Sequence, residues 1–261
     1  MQNPAISALI LLVLVISFAK CEKDPTEPSV EHGYIIVHLT DAPADFDAVN
    51  ITFSEISAHI DSEWVTINLK SDSIVNLLEW TNGKSMILGQ SEVPAGHYTQ
   101  VRLRIKAAEI IVDNETYPLD VPSGAQSGLK FGLNFTINPG STYELVLDFD
   151  TRKSIVTTGP KNDPKGYKLK PHIRVISKAV SGSISGTVTN PKDMPVAYAI
   201  QNPDTTTSTS VDTLSGFFML SFLPEGSYSV SIEDTTGKAF NQSNVNVIAG
   251  KTNDLGDITL Q

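Results

Sequence analysis

The chain has 261 residues, 40% of them hydrophobic and 18% charged, with 17 glycines and 15 prolines. Those proportions exclude a disordered or collagen-like chain, and the length has room for two domains of about 100–200 residues each. A formal charge of −10 with scattered lysine and arginine excludes a basic footprint for nucleic acid, and a single cysteine excludes a disulfide framework or a cysteine-based zinc cluster.

From Ile6 to Ala19 the chain reads ISALILLVLVISFA, without a charge. A spanning helix needs about 20 residues, so this shorter run reads as the apolar core of a secretory leader. Cys21 follows two residues later, and behind it lies the acidic, proline-containing tether EKDPTEPSVEH. The segment resembles a bacterial lipoprotein signal, and the acidic run resembles the surface-export signal of Bacteroidetes lipoproteins. That resemblance implies a leader over residues 1–20, lipid on Cys21 and a tether over 21–31. It also implies attachment to a membrane through the lipid, with the cell envelope as the address: the outer membrane, and its outer surface if the tether acts in export. A plain secretory leader and an uncleaved anchor are the alternatives.

Period-two alternation recurs from Gly33 onward and predicts strands. GYIIVHLT sets Ile35, Val37 and Leu39 against Tyr34, Ile36 and His38, and VNITF aligns Val49, Ile51 and Phe53. SIVNLLEW is the best candidate for a short helix. HYTQVRLRIKA turns Val101, Leu103 and Ile105 inward and Arg102, Arg104 and Lys106 outward. TYELVLDFD sets Tyr143, Leu145, Leu147 and Phe149 against Glu144, Val146, Asp148 and Asp150. KLKPHIRVI sets Leu169, Ile173 and Val175 against Lys168, Lys170, His172 and Arg174. Asn82-Gly83, PAG, PSG, NPG and DPKG supply the turns.

Near residues 178–183 the composition shifts toward Ser, Thr and Asn, and a second set of short strands follows, with Tyr228, Val230 and Ile232 aligned. The chain therefore reads as all-β, with two tandem β-sandwich domains after the leader, over residues 32–178 and 181–261. VPAGHYTQVRL and LPEGSYSVSI share a hydrophobic-Pro-x-Gly-x-Tyr pattern, which reads as one turn chemistry used twice rather than as a duplicated domain.

LTDAPADFDAVNITF, VPAGHYTQVRLRI, VPSGAQSGLKF, LDFDTRKSIV and LKPHIRV occur in that order. Together they resemble the domain-of-unknown-function family 4382, found mostly in prokaryotic envelope lipoproteins, over about residues 32–178. GSISGTV, SGFFML, LPEGSYSV and the closing AGKTNDLG resemble a carboxypeptidase regulatory-like (transthyretin-like) domain. That resemblance implies a β-sandwich of the carbohydrate-binding-like group, used as a spacer or a binding platform.

The chain contains no GxSxG, HExxH, P-loop or GxGxxG motif, so no enzymatic activity is expected. The histidines (His32, His38, His59, His97 and His172) are dispersed, and His38 and His59 are expected on outward faces. Calcium is the one candidate cofactor. It takes about six to eight oxygens, which Asp41, Asp45 and Asp47 of DAPADFD, or Asp148 and Asp150 of DFD, would help to supply. The same acids are the only basis for a concealed glycosidase pair. The rows Arg102, Arg104, Lys106 and Lys168, Lys170, Arg174 are expected to lie opposite Glu144, Asp148 and Asp150 as a charge-paired solvent face, or to present an anion platform. Trp64 and Trp80 flank turns, where tryptophan stacks on sugars, with burial in the core as the alternative.

The functional expectation is a lipid-anchored, non-catalytic binding module of the cell envelope with carbohydrate as its candidate ligand. Its partners are then the membrane and a polysaccharide or envelope protein, and not nucleic acid. A structural or adhesive protein with a C-terminal spacer is the second reading, and a hydrolase built on DAPADFD the third.

Overall fold

Alternating side chains can bury only one face of a strand, so the chain must stack its strands into layers. A computed structural model describes residues 31–70, 74–159 and 166–261. Cys21, the leader and nearly all of the tether lie outside the described residues. The first group of strands is β1 (His32–Ala42), β2 (Ala48–Ile60), β3 (Glu63–Ile67), β4 (Val75–Asn76), β5 (Met86–Pro94), β6 (Gly96–Val112), β7 (Glu115–Asp120), β8 (Leu129–Ile137), β9 (Thr142–Asp150), β10 (Ile155–Thr158), β11 (Gly166–Leu169) and β12 (Ile173–Ser177). The second is β13 (Ser181–Val188), β14 (Val196–Gln201), β15 (Asp204–Ser210), β16 (Phe217–Pro224), β17 (Gly226–Glu233), β18 (Ala239–Val247) and β19 (Thr252–Ile258).

These strands make two sandwiches. One sheet of the first runs β12-β9-β1-β5 and the other β10-β11-β7-β6-β2-β3, with β4 added to β2 and β8 to β6. The second sandwich pairs β16-β13-β19 with β15-β14-β17-β18. Ile35, Val37, Leu39, Ile51, Ile56, Leu103, Ile105 and Phe149 fill the first core. Ile184, Phe218, Leu220, Tyr228, Val230 and Ile232 fill the second.

Two local readings change. Within SIVNLLEW, whose Ser73 lies outside the described residues, Val75–Asn76 forms β4 and Leu77–Glu79 a single 3-10 turn rather than a helix. So short a segment gains little from helix propagation, and the Asn76 side-chain carbonyl instead accepts from the amides of Leu78 and Val49, tying the turn to β2. In β9 the alternation holds for Leu145, Leu147 and Phe149, yet Val146 and Asp148 are buried as well. The strand lies between β1 and β12, and β15 of the second sandwich covers Asp148.

The repeated Pro-x-Gly-x-Tyr pattern has one structural meaning in both sandwiches. Gly96 and Gly226 take φ values of 153° and 152°, a conformation that glycine adopts without penalty. Each turn then drops its tyrosine into the core, where Tyr98 and Tyr228 are 0% and 1% exposed. Both hydroxyls donate back to the proline carbonyl four residues earlier, Tyr98 to Pro94 at 2.7 Å and Tyr228 to Pro224 at 2.9 Å. Burial pushes the Tyr98 hydroxyl pKa up to about 12.

Candidate functional site

The two acidic segments meet because β1 and β9 run parallel and in register, with Thr40 beside Asp148, Asp41 beside Phe149 and Ala42 beside Asp150. Period-two alternation therefore sends Asp41 and Asp148 to opposite faces of the sheet. Each finds its own partners. Asp41 accepts from the amide of Thr151 at 3.0 Å and from its hydroxyl at 2.7 Å, and burial raises its pKa well above the usual carboxylate range against those bonds. Asp148 receives Nε and Nη2 of Arg174 at 3.1 and 2.5 Å. Burial raises its pKa too, opposed chiefly by the guanidinium charge.

Arg174 also reaches across to the second sandwich, donating from Nη1 to the Phe222 carbonyl at 2.9 Å. Phe222 sits at φ 55° in an irregular stretch of the β13–β16 pairing, a left-handed conformation that is costly for a bulky residue. Beside it, Thr207 of β15 donates to Asp148 at 3.4 Å. Further along the seam, Asn82 of the Asn82-Gly83 turn accepts from the Met219 amide at 2.7 Å and donates to the Phe217 carbonyl at 3.3 Å. Arg152 donates to the Tyr198 hydroxyl at 3.0 Å. Thr209, on β15 with Thr207, is 2% exposed, and its hydroxyl has no hydrogen-bond partner among the described residues. Of the acids singled out in the sequence, Asp148 thus belongs to a joint between the sandwiches, whereas Asp41 is held within the first.

The remaining acids of DAPADFD do other work. Asp45 is exposed in the loop, and Asp47 accepts from the Asn114 amide at 2.9 Å. Asp41, Asp45 and Asp47 are not gathered round a common point, and no three His, Cys, Asp or Glu side chains among the described residues are arranged to hold a metal ion. Asp150 caps the one-turn helix Thr151–Ser154 through the Lys153 amide and pairs with the Lys153 ammonium at 2.9 Å. His38, expected on an open face, is buried and hydrogen-bonded to Glu144 at 2.7 Å. Lys178 sits on the same Glu144 oxygen at 2.6 Å, and it, more than His38, holds the Glu144 pKa below the usual carboxylate range.

The tryptophans part company. Trp80 packs partly buried against the first core, and its carbonyl accepts from the Thr40 hydroxyl and the Asp41 amide. Trp64 lies on edge strand β3, on the outer face of the larger sheet. His59 is 5.0 Å away centre to centre, the Arg102 guanidinium 4.4 Å from the ring centre, and Lys130 Nζ 5.6 Å from it. The expected pairing of Arg102 and Arg104 with acids of β9 does not form, because β6 and β9 belong to different sheets. Both arginines pair instead with Glu55 of β2 at 2.7 and 3.1 Å. Nothing in the sequence marked Glu55, or the meeting of Trp64 with the arginine row, since both arise from the pairing of β2 with β3 and β6.

Fold and joint together define an all-β protein of two tandem sandwiches fastened to one another. The chain belongs to the family of the domain of unknown function DUF4382, whose profile matches residues 32–171, and residues 183–261 match the carboxypeptidase regulatory-like domain. Arg174 and Lys178 fall between the two matched spans. No curated protein matches the chain. Among solved structures it is similar to the TIE protein of Bacillus anthracis, at 11% identity over 88% of this chain and 34% of that one, with a TM-score of 0.22. It is also similar to the major pilin subunit BcpA of Bacillus cereus (10% identity, 88% and 70% covered, TM-score 0.21) and to the fimbrial anchor protein Mfa2 of Porphyromonas gingivalis (12%, 87% and 90%, 0.20). The chain spans about a third of the length of the first of these. Among the described residues, no helix is long and apolar enough to cross a membrane.

Proposed function

We propose that the protein is a lipid-anchored component of the cell envelope that works without catalysis, its two sandwiches held as one binding unit at the end of an acidic tether. The observation that supports this reading most is the fate of Asp148. A general acid or base needs a carboxyl group with access to substrate and water. Asp148 is instead covered by β15 and held by an arginine that also grips the second sandwich. Its neighbour Asp41 is closed off by Thr151. Calcium held by Asp41, Asp45 and Asp47 gains no support from their separate partners. The ligand class is carbohydrate, and Trp64 on its open sheet face supports that choice over Trp80.

Anchoring is tested by following the protein in cells. Wild-type chain should incorporate a palmitate analogue at Cys21, start at that residue and sediment with the outer membrane, while Cys21→Ser should be soluble or unprocessed. Unlabelled wild-type protein in the soluble fraction, beginning elsewhere, would leave plain secretion as the answer. Binding by the purified protein to a panel of envelope and plant polysaccharides tests the rest.

A further inference from the structure

We infer that the outer face of the larger sheet around Trp64 is a binding site for an acidic polysaccharide, one whose sugars carry carboxylate groups. This rests on the binding-module reading above. Arg102 of β6 and Lys130 of β8 are directly opposite one another in the strand register. Like charges in that position repel and destabilise a sheet, yet both stand within reach of the same tryptophan ring. Arg104 adds a third cation two residues along β6. Among the described residues the one acid paired with them is Glu55, which meets Arg102 and Arg104, and Lys130 has no acidic partner. The cluster therefore carries a surplus of about two positive charges on a chain whose net charge is −10, and a local patch of that kind attracts an anion despite the overall sign.

The geometry favours a carboxylate. The Arg102 guanidinium is held over Trp64, with Nε committed to Ser57 at 3.0 Å and Nη2 to Glu55 at 2.7 Å. Its Nη1 makes no hydrogen bond among the described residues and is left to donate, with the Lys130 ammonium within reach of the same ring, and charge-assisted pairs of this type are strong and directional. The polysaccharide character follows from what surrounds the cations. Trp64, partly exposed on the outer face of the sheet, offers an apolar surface beside the charged groups. His59 and Thr99, joined at 3.0 Å, continue the same face with groups that hydrogen-bond hydroxyls.

The test compares polygalacturonate with its fully methyl-esterified form, which keeps the backbone and removes the charge, using the purified protein at low salt. The acidic polymer should bind, weaken as salt rises, and bind about tenfold less tightly to Lys130→Glu and to Trp64→Ala. Lys130 is exposed and faces Arg102 across the register, so Lys130→Glu should melt at or slightly above the wild-type temperature, which separates lost binding from lost fold. Inorganic phosphate at matched charge should not compete; full competition would make the site one for simple anions and overturn the assignment. Equal binding of the esterified polymer would overturn the acidic specificity while leaving a carbohydrate-binding module. Failure of every polysaccharide, acidic and neutral, would overturn both.

Discussion

Replacing Arg174 with methionine should loosen the whole joint. The substitution keeps the length and apolar body of the side chain and removes the charge. It deletes the two bonds to Asp148 and the one to Phe222, leaving a carboxylate only 7% exposed with a hydroxyl at 3.4 Å as its remaining cross-sandwich donor. Taking one partner from a buried ion pair costs about 3–5 kcal/mol, because the other charge stays desolvated. At about 2–4 °C per kcal/mol for a chain of this size, Tm should fall by about 6–20 °C. Scanning calorimetry should also resolve two transitions, one for each sandwich, where the wild-type protein shows one. The double variant Arg174→Met with Asp148→Leu should recover most of the loss, since an apolar pair replaces a buried ionic one at little net cost. A single substitution costing under about 1 kcal/mol, as an exposed ion pair does, with no splitting of the transition, would refute the view that this pair fastens the sandwiches.

Tyr98→Phe and Tyr228→Phe should each cost about 1–3 kcal/mol in urea unfolding, because each leaves a proline carbonyl without its donor, and the two losses should match as the geometries do. Asn82→Ala should lower stability by a similar amount and speed proteolysis at the seam, since it removes the acceptor of the Met219 amide. Asn82→Gly, which tolerates the φ of 54°, should separate the lost bonds from backbone strain. Glu144 has a folded pKa lowered by Lys178 and His38, so its stabilising effect is present above the unfolded value of about 4.3. It is lost as pH falls through the lowered folded value. Between pH 5 and pH 3, wild-type protein should therefore lose more stability than Glu144→Gln, and parallel acid limbs would contradict the assignment. Removing residues 181–261 should destabilise the first sandwich, because Arg174 and Asp148 lose their cover; an unchanged melting temperature would restore the C-terminal sandwich to the role of a passive spacer.

The sequence by itself determined the class of structure. Alternation such as that of Ile35, Val37 and Leu39 can be satisfied only by a strand with one buried face, and the two Pro-x-Gly-x-Tyr turns carry the geometry that closes each sandwich within six residues. Such signals are local, so a reader of the chain sees them. The placement of Asp41 and Asp148 on opposite faces was set by the parallel register of β1 and β9, strands about a hundred residues apart. The meeting of Trp64 with Arg102 and Lys130 needed three separate strand pairings. The burial of Asp148, whose position on β9 reads as solvent-facing, needed a second sandwich to lie against the first. Alternation specifies which face a residue takes but not what later packs against that face, and that is why the joint and the charged aromatic face were decided only by the tertiary structure.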